Sequence, residues 1–253
     1  MRLGTTSYIL PADILPNVQY LAPRVDDVEL VLFEVDDGQN NLPSTAVVGE
    51  LAALASEHDL SYTVHLPLDL RMGDDGSTGH ASLEKAQRVI ERTKALAPWA
   101  YVLHLEGKHM TDYEAWIDQA ACSLELTAAW AGAPELLAVE NLEGYPLDFI
   151  DPVLERVPVS RCLDIGHLWV DGHDPVPFLE RHLARARVIH LHGLGSRDHQ
   201  SLSHADSKEL ARVLRPLLDH DYQGVLTLEV FGQADFESSV GALQAAGVPW
   251  PAG

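Results

Sequence analysis

The sequence predicts an α/β protein, a single closed (β/α)8 barrel spanning residues 1–253. Length is the first of three observations behind that expectation, since 253 residues is close to the usual size of one such barrel. The second is alternation, in which eight short apolar runs are separated by longer amphipathic stretches. The third is chemical. Ionisable residues fall at the ends of the runs, where buried strands should still be dry.

Strands are expected at residues 2–9, 28–34, 62–68, 100–106, 136–142, 160–167, 188–194 and 225–231, all rich in Val, Leu, Ile or Tyr. Between them, residues 44–58 open on Ser44 as a cap and place Val47, Leu51, Leu54 and Ala55 at helical spacing. Residues 82–97 place Leu83, Ala86, Val89, Ile90 and Leu96 likewise and stop at Pro98. Residues 112–131, 207–220 and 235–246 show a similar pattern. No G-x-G-x-x-G follows the first strand, which argues against a dinucleotide-binding open sheet. No low-complexity linker divides the chain, so one domain is expected.

Charge narrows the partners. With 17 Lys+Arg against 38 Asp+Glu the formal net charge is -21. Nucleic-acid binding rests largely on phosphate neutralisation, so a chain this acidic, with no basic patch, is not expected to take a nucleic-acid substrate. The same acidity serves solubility. No run of about 18 apolar residues suggests a membrane span. The opening Met1-Arg2-Leu3-Gly4-Thr5-Thr6 lacks the regions of a signal peptide, and Cys122 and Cys162 suit neither a disulfide framework nor a zinc-thiolate site. A cytoplasmic protein with a small-molecule substrate is the expectation.

The strand ends carry the functional signal. Tyr62-Thr63-Val64 leads to His65, and Tyr101-Val102-Leu103 to His104-Leu105-Glu106. Leu136-Leu137-Ala138-Val139 leads to Glu140-Asn141, and Cys162-Leu163 to Asp164-Ile165-Gly166-His167. Val188-Ile189 leads to His190-Leu191-His192, and Leu226-Thr227-Leu228 to Glu229. Six consecutive strands therefore present ionisable groups where barrel strands converge on one mouth. A single such His is usually a hydrogen-bonded core residue. Three converging carboxylates with almost no cations beside them would repel one another, and divalent ions relieve that repulsion directly. Imidazole plus carboxylate without thiolate suits zinc, manganese, iron or cobalt.

At these residues the chain resembles the xylose-isomerase-like barrel superfamily, which holds sugar isomerases and epimerases and the endonuclease IV-type repair enzymes. The segments are Val64-His65-Leu66-Pro67, Leu103-His104-Leu105-Glu106-Gly107, Val139-Glu140-Asn141-Leu142-Glu143-Gly144, Cys162-Leu163-Asp164-Ile165-Gly166-His167 and Val188-Ile189-His190-Leu191-His192-Gly193. By resemblance to the endonuclease-like members, two or three divalent ions are implied. His65 and His104 would hold the first, with Glu140 bridging to the second; Asp164, His190 and Glu229 would complete the second. His167 would hold the third with Asp198 and His199 from the loop after the seventh strand. His192 departs from the pattern, where many members place Asn or Lys. The simple isomerases keep only the Glu140, Asp164, His190 and Glu229 set, so the additional histidines point to phosphoester cleavage.

The run of residues 3–18, followed by residues 25–34, is similar to the cobamide-remodelling phosphodiesterases of that superfamily, which cut the phosphodiester of the nucleotide loop. The resemblance implies metal-assisted hydrolysis in which the ions clamp the phosphate and activate water. Glu140 would orient that water, and Glu106, Glu143 and His192 would support the ligating imidazoles. Tyr8 and the loop at residues 11–16 are candidate substrate contacts. Two rivals follow from the same residues: an isomerase or epimerase in which Glu140 and Glu229 shuttle a proton at one metal, and a binding protein that turns nothing over.

Overall fold

In a computed structural model, which describes residues 1–33, 40–73, 75–107, 110–197 and 199–251, eight strands close into one barrel. They are β1 (Arg2–Thr6), β2 (Asp27–Val31), β3 (Ser61–Asp69), β4 (Ala100–His104), β5 (Leu137–Glu140), β6 (Ser160–Asp164), β7 (Ala186–Leu191) and β8 (Val225–Leu228). Every neighbouring pair is parallel, and β8 returns to β1 with Gly4 opposite Thr227. All eight expected strands are present.

Alternation along each strand sorts the side chains. One set faces the helices and builds the main core; Leu30, Val64, Leu103, Val139, Leu163, Ile189 and Leu226 belong to it and are almost fully buried. The other set faces the barrel axis. Ala100, Val102, Ala138, Cys162 and Val188 form a separate apolar cluster there, with Trp99 packed against it. Trp99 precedes β4 and so lies at the floor, the N-terminal end of the strands. The Arg187 guanidinium sits 4.4 Å over its ring, and Trp99 Nε1 donates to the Arg187 carbonyl at 3.0 Å. On β2, Asp27 and Glu29 face the axis too, both fully buried. Gly4 makes room for this arrangement, because a Cβ there would lie 2.7 Å from the Asp27 carbonyl oxygen.

The helices are α1 (Ile14–Leu21), α2 (Thr45–His58), α3 (Ala81–Thr93), α4 (Tyr113–Ala131), α5 (Asp151–Arg156), α6 (Ile165–Val170), α7 (Pro175–His182), α8 (Ser207–Asp219) and α9 (Gln233–Ala245). Local signals set their starts. Ser44 accepts from Val47 N, Asp112 from Glu114 N and Ala115 N, and Asp206 from Lys208 N and Glu209 N, each satisfying amides the helix leaves open. The buried stripe Leu210, Val213, Leu214 and Leu217 seats α8 on the barrel. None of the described helices is long and apolar enough to cross a membrane.

One expected boundary is wrong in an informative way. Residues 160–167 read as a single strand, but β6 ends at Asp164 and the chain turns at once into α6. Asp164 is the reason: its Oδ1 accepts from His167 N at 2.7 Å and caps the helix. Helices α1, α5, α6 and α7 were not expected from the sequence; they are short, 6 to 8 residues, below the length at which periodicity is legible.

Candidate metal centre

The mouth gathers eight of the nine residues singled out as ligands. His65 stands on β3, His104 and Glu140 end β4 and β5, Asp164 ends β6, and His190 lies on β7. Glu229 follows β8, His167 lies on α6, and His199 comes from the loop after β7. Asp198 lies outside the described residues. That loop is folded back by paired Gly193–Gln200 backbone hydrogen bonds of 2.8 and 3.1 Å. The fold-back returns His199 to the mouth, with φ +53°, a left-handed backbone that few side chains adopt.

These residues form overlapping groups whose candidate donor atoms lie within 4.8 Å of one another: His65, His104 and Glu140; Glu140, Asp164, His190 and Glu229; and His167, His192 and His199. Glu140 joins the first two. Its Oε2 is 3.4 Å from His65 Nε2 and 3.1 Å from His104 Nε2. Its Oε1 is 3.5 Å from His190 Nδ1 and 3.6 Å from His167 Nδ1. Glu229 Oε2 lies 3.2 Å from His190 Nδ1 and 3.4 Å from His199 Nε2. Cys162 lies beneath, grouped with Glu140 and His190, but burial pushes its thiol well up and keeps it neutral.

The electrostatics follow from burial and proximity. Burial alone would raise Glu140 and Glu229, yet both are held well below the usual carboxylate range, Glu140 by His190 and His104 and Glu229 by His190 and His199. Burial would lower His65 and His167. The hydrogen bond and charge of Glu140 instead raise His65 to about 9, and Asp164 and Glu140 raise His167 to about 9. Without ions, then, protons balance the carboxylates.

Divalent ions fit the same place better. Asp164 Oδ2, His190 Nδ1 and Glu229 Oε2 are buried, belong to one group, and among the described residues have close ionic neighbours but no well-aligned hydrogen-bond partner. The far side of each ring is fixed where it is needed. His65 Nδ1 sits 2.9 Å from the Leu66 carbonyl, leaving Nε2 toward Glu140. His190 Nε2 sits 2.9 Å from Glu29 Oε2, both residues fully buried, leaving Nδ1 toward the carboxylates.

Glu29 is the residue the sequence reading missed. Asp27-Val28-Glu29-Leu30-Val31 alternates polar and apolar, a pattern that does not tell an inward polar face from an outward one. Asn141 was also missed: its Oδ1 accepts from Asp164 N and its Nδ2 donates to the Asp164 carbonyl, each at 2.9 Å, pinning β5 to β6. His192 enters the third group, beyond the supporting role expected for it. Of the other two residues given that role, Glu143 is exposed and the Glu106 backbone amide donates to Asp69; neither joins a ligand group among the described residues.

Fold and site together define a (β/α)8 barrel with imidazoles and carboxylates converging at the C-terminal strand ends, where barrel enzymes place their chemistry. The chain belongs to the xylose isomerase-like TIM barrel family, whose model matches residues 25–247. Compared by sequence with curated proteins, the chain matches none. Among solved structures it is similar to a D-tagatose 3-epimerase-like protein, with TM-score 0.77, 18% identity and 97% of each chain covered. Endonuclease IV from Thermus thermophilus aligns with TM-score 0.71 and 19% identity over 97% of this chain and 100% of that one. The TTHB071 protein from the same organism, soaked with zinc chloride, aligns with TM-score 0.67 and 24% identity over 97% of each chain. These likenesses are of fold.

Proposed function

We propose that this protein hydrolyses a phosphodiester of a small molecule at a centre of two or three divalent transition-metal ions. The observation that carries the reading is the two-way Glu140 carboxylate, one oxygen toward His65 and His104 and the other toward His190. A carboxylate so placed could serve two ions, and paired ions would suit in-line displacement at phosphorus. His65, His104 and Glu140 would hold one; Glu140, Asp164, His190 and Glu229 another; His167 and His199 would take part in a third. When bound, such ions supply Lewis acidity to the phosphate and to an attacking water. The protein's own part is to orient. Glu29 and the Leu66 carbonyl fix the His190 and His65 rings, Asn141 fixes Asp164, and Glu140 would align the water.

Within that class we propose the nucleotide-loop phosphodiester of cobamides as substrate. Residues 3–18 resemble the cobamide-remodelling enzymes, and Tyr8 stands at the mouth end of β1. Its hydroxyl accepts from Asn41 Nδ2 at 2.8 Å on a groove of about 540 Å³ that also includes Asp13, Pro16 and Pro43. The net charge of -21 disfavours nucleic acid.

One observation favours a second reading. Glu140 and Glu229 both approach His190 Nδ1, at 3.5 and 3.2 Å, an arrangement in which two carboxylates could exchange a proton with a sugar at one metal. Elemental analysis of protein purified without added metal, paired with chromatography of corrin products after incubation with a cobamide, separates the two. The hydrolase should carry at least two ions per chain, release the lower-ligand nucleoside or nucleotide, and lose activity to a chelator. One ion per chain, an unchanged cobamide and interconversion of ketoses would replace it with the epimerase.

A further inference from the structure

The mouth is not polar all round. Among the described residues, Met110, Tyr113 and Leu147 are three of the six large apolar side chains that remain exposed, at 40%, 36% and 37%, and all three lie on the chain that follows β4 or β5. Behind them Tyr113 stacks on Trp116, with ring centroids 5.6 Å apart and planes 10° from parallel. Trp116 packs on Phe149 at 4.5 Å, and Tyr145 packs on Phe149 at 4.7 Å. These rings make an aromatic wedge between two hollows. One is a groove of about 540 Å³ whose lining includes Asp69, Met72, Glu106, Met110 and Trp116. The other is a small recess where Tyr145, Leu147 and Phe149 meet Glu140.

Backbone bonds hold the wedge. Trp116 Nε1 donates to the Glu106 carbonyl at 3.1 Å, the Tyr113 hydroxyl to the Phe149 carbonyl at 2.7 Å, and Gly107 N to the Tyr145 hydroxyl at 3.2 Å. A Cβ on Gly107 would lie 2.5 Å from the Phe149 ring and 3.2 Å from Met110 Sδ, so glycine admits both. Gly166 admits the His192 ring in the same way, 2.0 Å from where its Cβ would be. Rings already fixed lose little freedom when a ligand docks. Met72 and Met110, two of the chain's three methionines, give the groove an adaptable side. The groove adjoins the metal centre: Asp69 stands opposite His104 in the β3–β4 register, and the Leu70 amide donates to the His104 carbonyl at 3.1 Å.

We propose that this groove is the subsite for a flat heteroaromatic base carried by the substrate, the base lying against Met110 and the edge of Trp116 while the phosphodiester reaches the mouth past His104. Its volume falls within the range of small-molecule sites, roughly 300–1,000 Å³. Flat bases gain from aromatic contact whatever their hydrogen-bonding pattern, because each presents a π-face. The proposal rests on the phosphodiester reading given above and deepens it: substrate choice comes from the ring that the phosphate carries. A sugar has no such ring.

The test uses the full metal-loaded chain and two probes, adenosine 5′-monophosphate and ribose 5-phosphate, which share sugar and phosphate and differ by the base. Titration calorimetry should show the nucleotide binding at least about fivefold tighter, the lower end for a base against an aromatic side chain. Met110→Ser and Trp116→Leu should each bring that ratio toward unity. Met110 is exposed, so its variant decides the matter even where Trp116→Leu does not fold. Leu218→Ser, at an exposed apolar side chain of α8, should leave the ratio unchanged. Equal wild-type affinity for the two probes, or a ratio that neither substitution lowers, overturns the subsite. So does a dimer that Met110→Ser dissociates, because the wedge is then an interface between copies. A Met110-dependent preference for the nucleotide without hydrolysis of any phosphodiester keeps the subsite and removes the hydrolase reading. Hydrolysis without that preference does the reverse.

Discussion

Asp27 and Glu140 are both carboxyl groups sealed inside one barrel, the first toward the floor and the second at the mouth, and their affinities for protons move in opposite directions. Asp27 is raised from 3.8 to about 7, chiefly by burial, although Ser61 donates to it at 2.5 Å. Glu140 feels the same burial and ends well below its ordinary value, because His190 and His104 face it. Depth inside a protein therefore does not fix a carboxyl's charge; its neighbours do. At the floor, the Ser61 and Thr63 hydroxyls and the charge of Arg2 do not offset burial, which the Glu29 carboxylate reinforces. At the mouth, imidazoles from several strands overrule it, and a charged centre persists in the interior.

Four experiments can break or sharpen this contrast. The largest effect is expected for Glu140→Ala, which should lower turnover at least about 100-fold, beyond what loss of a merely supporting residue costs. It should also remove more than one ion, because Glu140 belongs to two groups, while circular dichroism shows a folded barrel. Leu137→Ala, at the fully buried floor end of β5, should do the reverse. A deleted core leucine costs roughly 2–5 kcal/mol, so denaturant unfolding should shift with metal content unchanged.

Asp27→Asn probes the floor carboxyl itself. The folded carboxyl keeps its proton up to about pH 7, whereas the unfolded one releases it near 3.8. The cost of burying the charge is therefore absent below about pH 4, grows as pH rises toward 7, and is constant above. At about 3 pH units and 1.36 kcal/mol per unit it amounts to at most about 4 kcal/mol. Stability measured from pH 4 to 8 should fall less steeply in the variant than in the parent; parallel curves would return Asp27 to an ordinary carboxyl. The smallest effect is expected for Arg187→Lys, which gives up the planar stack on Trp99. It should cost about 1 kcal/mol and leave activity untouched.

The same contrast decides what was legible beforehand. Interruptions in apolar runs are visible in a sequence, so His65, His104, Glu140, Asp164, His190 and Glu229 could be picked out, and the eight strands with them. Glu29 was not visible, because an inward carboxylate on an alternating strand looks like an outward one until the barrel closes. His167 was expected on a strand and stands on a helix. Ile165-Gly166-His167 continues the β6 pattern in apolar character, and only the Asp164 cap, a side-chain hydrogen bond, turns it into a helix. The stack of His192 on His199 was not legible, since it depends on a loop that doubles back through backbone bonds no side-chain pattern reports.

Gly166 gives the sequence a kind of shadow. Nothing in Asp164-Ile165-Gly166-His167 asks for a glycine on its own account: the residue lies in a short helix and needs no left-handed turn. Its missing methyl is the outline of an aromatic ring that arrives from the next strand. In a chain of this fold, an alanine in that slot would exclude an overhead ring placed as His192 is, before any coordinates are in hand.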